Sequence, residues 1–136
     1  MITKHSHSTV YVLDQDRAKA FYTEKLGFEV RDDAKMGEFR WLTVAPKTQP
    51  DACIILMAVT PGPMMDQESC DMIRELLEKG VLGGGVVETD NCRRTYEELK
   101  AKGVEFIREP KEMPYGIEAL FKDDSGNFYS MGEKKA

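Results

Sequence analysis

Glu118 is the residue best placed to do chemistry. It stands in the middle of an apolar run, Ile117-Glu118-Ala119-Leu120-Phe121. A carboxyl there either reaches water or is partly buried, and burial raises its pKa. Buried, it could act as a general base or hold a cationic ligand. On an edge strand it would instead sit in water or pair with Arg or Lys. His7 is the second such residue. The stretch His7–Leu13 alternates, with His7, Thr9 and Tyr11 on one face and Ser8, Val10 and Val12 on the other. The aliphatic face should meet a helix, and the His7 face is polar enough to line a cleft. Glu88 points either to solvent or to the helix cap near Asp90. Trp41, the only Trp, reads as core or as a stacking surface for a flat ligand. Cys53, Cys70 and Cys92 are odd in number and lack C-x-x-C spacing, so they read as reduced thiols. Cys53 has no His beside it in sequence, and a small core residue is the simpler reading than a nucleophile.

The elements that must position these residues come in two copies. Asp14 to Val30 (DQDRAKAFYTEKLGFEV) recurs in outline as Asp90 to Phe106 (DNCRRTYEELKAKGVEF). In each, an Asp reads as a helix N-cap, accepting from free backbone N–H groups. In each, a Gly at the same distance, Gly27 or Gly103, reads as a C-cap able to turn left-handed. Each Gly opens an apolar–Glu–apolar triplet that starts a strand. Further strands are expected at Glu38–Ala45, Ala52–Val59, Gly116–Lys122 and Asn127–Met131. Strand Ala52–Val59 is apolar on both faces and should be central or covered. Asp32–Gly37 and Pro46–Asp51 read as turns, Pro110 and Pro114 bracket a loop, and the EKKA tail reads as frayed. Between the copies, Pro61, Gly62 and Pro63 break regular structure. A helix then starts near Asp66, with Met65, Ser69, Met72, Ile73, Leu76 and Leu77 as its stripe and Gly80 as its stop. Leu82-Gly83-Gly84-Gly85 leads into a strand, so it marks close backbone packing or a close approach, and not a phosphate loop.

The chain has 136 residues, a length that suits one domain. Each half alone, at about 60 residues, would be marginal. The expected layout is a single domain over 1–136, with module one at 5–59, a linking helix at 60–80 and module two at 81–131. The net charge is −5, and Lys and Arg form no basic stripe, which argues against nucleic acid. No apolar run approaches the roughly 18 residues of a membrane span. The opening MITKHSHSTV lacks the apolar core of a signal peptide, so a cytoplasmic protein is expected.

The order βαβββ, helix, βαβββ, with Asp14-x-Asp16-Arg17…Phe21-Tyr22…Leu26-Gly27-Phe28 and the turn Asp123…Gly126-Asn127, resembles the vicinal oxygen chelate superfamily. That group includes glyoxalase I, bleomycin and fosfomycin resistance proteins and extradiol dioxygenases. The resemblance covers roughly residues 5 to 131. It implies an α+β fold in which two βαβββ modules form cupped mixed sheets around a cavity, completed in a homodimer. Function must then be argued from the cavity.

In metalloenzyme branches, each module supplies a ligand from its first and its fourth strand. Carried over, those positions are His7, Ile55, Gly84 and Ser130. Only His7 is a good ligand; Ile55 and Gly84 offer no donor, and the only other histidine is His5. The expectation is a branch without the usual metal and without a cofactor. The cavity would then be lined by His7, Tyr11, Trp41, Met57, Glu88, Glu118, Leu120, Phe128 and Ser130. Two functional readings stay open. In one, the protein binds a small organic molecule without a metal, and acidic walls would suit a cationic one. In the other, it is a lyase-, isomerase- or dioxygenase-like enzyme using Glu118 and His7 or a non-standard metal site. A third possibility is an interaction module that keeps the fold without pocket chemistry.

Overall fold

The computed structural model describes residues 1–136, which divide into two compact units, Met1–Glu75 and Leu76–Ala136. In the first unit β1 (His7–Val12) leads to α1 (Gln15–Ala20), which continues as a π-helical turn, Phe21–Lys25. Then come β2 (Phe28–Met36), β3 (Phe39–Pro46) and β4 (Cys53–Ala58). Helix α2 (Gln67–Lys79) crosses from one unit into the other. The second unit holds β5 (Gly83–Glu88), α3 (Cys92–Ala101), β6 (Phe106–Met113), β7 (Gly116–Lys122) and β8 (Phe128–Lys134). The sheets have the orders β1-β4-β3-β2 and β5-β8-β7-β6. In each, the first pair is parallel and the others antiparallel. The fold is α+β with two repeated modules.

Each module buries the aliphatic or aromatic face of its sheet under its own helix. In module one Val10, Val12, Leu42, Val44 and Leu56 are buried with Ala18, Phe21 and Tyr22 of the helix. In module two a chain of rings runs from α3 into the sheet. Tyr96 meets Phe106 at 4.6 Å, Phe106 meets Phe121 at 5.8 Å and Phe121 stacks on Tyr129 at 5.3 Å. A buried side chain of this size contributes roughly 1.5–3 kcal/mol.

The caps explain a difference between the two helices. The Asp14 carboxylate accepts from Arg17 N at 2.9 Å, as its position predicts. In module two the cap is Asn91 and not Asp90; the Asn91 side chain accepts from Arg94 N at 3.0 Å. Cap and Gly are therefore one residue further apart in module one. The extra residue is absorbed where Leu26 N donates to Phe21 O, a bond one residue longer than the α-helical one. Gly27 and Gly103 both take positive φ after the helix, +77° and +90°.

Other expectations change. β2 extends through Met36, because Asp32–Met36 pairs antiparallel with Phe39–Thr43; the turn is only Gly37-Glu38. Pro110 lies inside β6 and not in a loop, at a bulge where no ladder N–H is needed. The tail is not frayed through Lys134, since β8 pairs with β7 that far, and the Glu133 carboxylate accepts from Cys92 N at 2.8 Å. On α2 the buried side chains are Cys70 and Leu77, while Met72 is 52% exposed and Leu76 38%. The stripe is thus turned from the one expected. Asp66 caps α2 through Ser69 N at 2.8 Å, and Gly80 ends it at φ +72°.

Candidate functional site

Pairing register decides which side chains share a face. In module one, His7, Thr9 and Tyr11 of β1 stand opposite Cys53, Ile55 and Met57 of β4, and Ile55 stands opposite Thr43 of β3. This is the face away from α1, and Trp41 is on it: its ring lies 5.5 Å from that of His7. His7 Nδ1 is bonded to Ser6 Oγ at 2.9 Å. A cleft of about 600 Å³ opens along this face. Tyr11 and Met57 form its floor with Thr9; Glu38 and Phe39 form one wall, and the segment Thr60–Met65 the other. That segment is a tight turn, with Gly62 N donating to Met65 O at 2.9 Å, and Met64 at its tip is 96% exposed. His7 and Trp41 do not line the cleft. Phe39, Met64 and Met65 line it and were missed in sequence. Their only signal was the concentration of Met and Pro after Met57.

In module two, Val86 faces Ser130, Leu120 faces Ser130 from the other side, and both Glu88 and Glu118 stand opposite Gly132. With Phe128 they share the face away from α3. The carboxylate of Glu118 is the centre of a hydrogen-bonded group. Its Oε1 accepts from Arg108 Nη2, and its Oε2 from Ser130 Oγ at 2.7 Å and Tyr115 OH at 3.0 Å. These donors, the Ser130 hydroxyl first, then Tyr115 and Arg108, hold the Glu118 pKa below the ordinary carboxylate value against the opposing effect of burial. Glu118 pairs with Arg108, and its pKa moves in the direction opposite to the rise that burial alone would give. Glu88 is instead an exposed partner of Lys134 at 3.1 Å. Arg108 and Tyr115 were not seen as site residues in the sequence, because a strand bulge and a hairpin bring them to Glu118.

The four positions that hold metal in related enzymes have no common donor chemistry here. Ile55 is buried carbon, and Ser130 is bonded to Glu118. A Cβ at Gly84 would collide with the Tyr129 ring on the opposite, buried face. A bulge between Gly83 and Gly85 has moved Gly84 off the face that alternation gives it. No three His, Cys, Asp or Glu residues gather into a group that could hold a metal ion.

Two repeated βαβββ modules, each a four-stranded mixed sheet with polar groups on the face away from its helix, define the class of fold. The chain belongs to the Glyoxalase/Bleomycin resistance protein/Dioxygenase superfamily, whose family model matches residues 4–130. It is similar to the uncharacterized protein YetH of Bacillus subtilis (strain 168), with 37% identity over 134 residues, covering 98% of this chain and 100% of that one. Among solved structures it is similar to UcmS2, with 52% identity and a TM-score of 0.93 over 98% of this chain and 100% of that one. It is also similar to TnmS3, an antibiotic binding protein from Streptomyces sp. CB03234. There the identity is 30% and the TM-score 0.77, over 98% of each chain.

Proposed function

We propose that the protein binds a small organic molecule, of the antibiotic-like kind bound by TnmS3, in the cleft of module one and without a metal ion. The observation that carries this is the cleft itself. Its volume is in the range of small-molecule sites. Its lining is thioether, aromatic and prolyl, with three hydroxyls and a single charge, that of Glu38. Flexible methionines adapt to varied apolar shapes. Metal independence is supported by the missing donors at Ile55 and Gly84. We extend the reading to a single domain acting as a cytoplasmic homodimer. No helix is long and apolar enough to cross a membrane, and exposed Met72 and Leu76 on α2 offer apolar surface that a second copy could cover.

Bleomycin and a panel of flat aromatic compounds should be tested by thermal melting. A ligand at a hundred times its Kd adds about 2.7 kcal/mol to folding stability. At least one compound should raise the melting temperature, and Met57→Ala should weaken its binding. A panel without any shift would count against the proposal. Stoichiometric zinc, nickel, manganese or iron in the purified protein would remove its metal-free part, and a monomeric mass in light scattering its dimer. Against the enzymatic reading, three donors engage the Glu118 carboxylate and lower its pKa, which makes it a weaker base.

A further inference from the structure

Strand β6 is irregular in a way that moves charge. Phe106 stands opposite Phe121 and Arg108 opposite Leu120, so one extra residue, Ile107, is bulged out. Lys111 then stands opposite Glu118, so three steps along β6 match two along β7, and the second bulge falls at Glu109-Pro110. Alternation alone would place Arg108 and Lys111 on opposite faces. The second bulge places both on the face of Glu118. Bulges re-aim side chains in this manner beside functional sites.

The charges on this face do not balance. Glu88 is matched by Lys134 and Lys122 by Glu105. Glu118 is matched by Arg108. Lys111 is exposed and is left over. Arg108 is itself incompletely used: its Nε is buried without a hydrogen-bond partner, although the side chain is 35% exposed. A buried N–H without an acceptor is costly. On the same face lie Leu120 of β7, opposite Arg108, and further across the sheet Phe128 of β8 and Val86 of β5, the last 77% exposed.

We propose that module two carries a second binding site, specific for a carboxylate attached to an apolar or aromatic body. The carboxylate supplies the negative charge that Lys111 lacks. Turning of the guanidinium brings Arg108 Nε–H onto the ligand oxygen, while Ser130 and Tyr115 keep Glu118 in place. The body lies on Val86, Leu120 and Phe128. A neutral amide would satisfy the N–H and leave Lys111 unmatched, and a cation would be repelled.

The test uses the full chain with 2-naphthoate, 2-naphthamide and 2-naphthylmethylammonium as probes in calorimetric titration. Naphthoate should bind saturably, at least tenfold more tightly than either other probe. Arg108→Lys, which keeps the charge and removes Nε, and Lys111→Gln should each weaken it at least fivefold. Both changes are at exposed or half-exposed positions, and circular dichroism checks that the variants fold. In the nuclear magnetic resonance spectrum, the Nε–H signal missing from the Arg108→Lys variant should move when naphthoate is added to the unaltered protein. Unchanged affinity in both variants, equal binding of the amide, or an unmoved signal would overturn the proposal. None of these results touches the module-one cleft, whose failure would show separately in the Met57→Ala comparison.

Discussion

Position by position, the two modules share a backbone plan and differ in what they mount on it. Asp32 of β2 and Arg108 of β6 come just after the same bulge, at Arg31 and Ile107, and face Thr43 and Leu120. Those residues in turn face Ile55 and Ser130. Where module one has Trp41, module two has Glu118. Module one thus presents mostly apolar groups, with Asp32 accepting from the Thr43 hydroxyl at 3.2 Å. Module two presents an ion pair reinforced by two hydroxyls. The modules also differ in where they accommodate extra residues. Module one places one in its helix, as the π-helical turn, in addition to the bulge at Arg31. Module two places another in strand β6 and gains a cation on its open face. An insertion in a helix rotates the residues beyond it by about 100°, and a turn can absorb it. An insertion in a strand reverses the face of everything beyond it.

The comparison can be broken most sharply at glycines. A Cβ at Gly126 would run into the Leu77 carbonyl, and its φ is +107°, so Gly126→Ala should cost about 3 kcal/mol in urea unfolding. At Gly27 no atom lies within 4 Å of such a Cβ, so Gly27→Ala should cost only the strain of φ +77°, about 1 kcal/mol. Equal losses would show that the two turns are not held differently. Next in size, deleting Glu24 from the π-helical turn should give module one the cap-to-Gly spacing of module two. A folded protein with a purely α-helical α1 is expected, at a loss of about 1–2 kcal/mol; failure to fold would mean that the π-turn is required by module one.

A smaller effect concerns acid. Arg40 first, then Lys19, holds the Asp33 carboxyl well below its usual range, on the helix-facing side of module one. A depressed pKa contributes stability above the unfolded value near 3.9, and that stability is lost as pH falls below it toward the folded value. Asp33→Asn should therefore lower stability by about 1 kcal/mol at pH 7 and by less at pH 3, the pair being partly exposed. Glu118 is depressed too, so Glu118→Gln should show the same sign in module two. An equal loss at both pH values would separate the role of either side chain from its charge. Least of all, Glu88→Gln should change stability by under about 0.5 kcal/mol, because its pair with Lys134 is exposed. A larger loss would join Glu88 to the Glu118 group.

Much of the architecture was legible. Asp14, Gly27 and Gly103 announce helix ends through local backbone chemistry, and the alternation of β1, β4, β7 and β8 gives the faces of Tyr11, Met57, Glu118, Leu120, Phe128 and Ser130. Illegible were features in which one residue changes the count. Asp90 and Asn91 are both good caps, and Asn91 serves because the connection after β5 is one residue longer than the one after β1. Gly84 reads as facing the cup until the bulge beside it turns it toward Tyr129. Met72 and Leu76 have helical spacing, yet α2 exposes them and buries Cys70 alongside the expected Leu77.

By itself the sequence determined the repeat, the order of its elements and the family, because caps, left-handed glycines and period-two alternation act over a few residues. Only the tertiary structure decided the chemistry of the open faces. Whether Glu118 is a base or an ion-paired acid depends on Arg108, Tyr115 and Ser130, which reach it through strand pairing. The cleft, likewise, exists because the turn after β4 folds back beside Phe39. Both outcomes are set by register between distant segments, and register is a property of pairs of strands that no single stretch encodes.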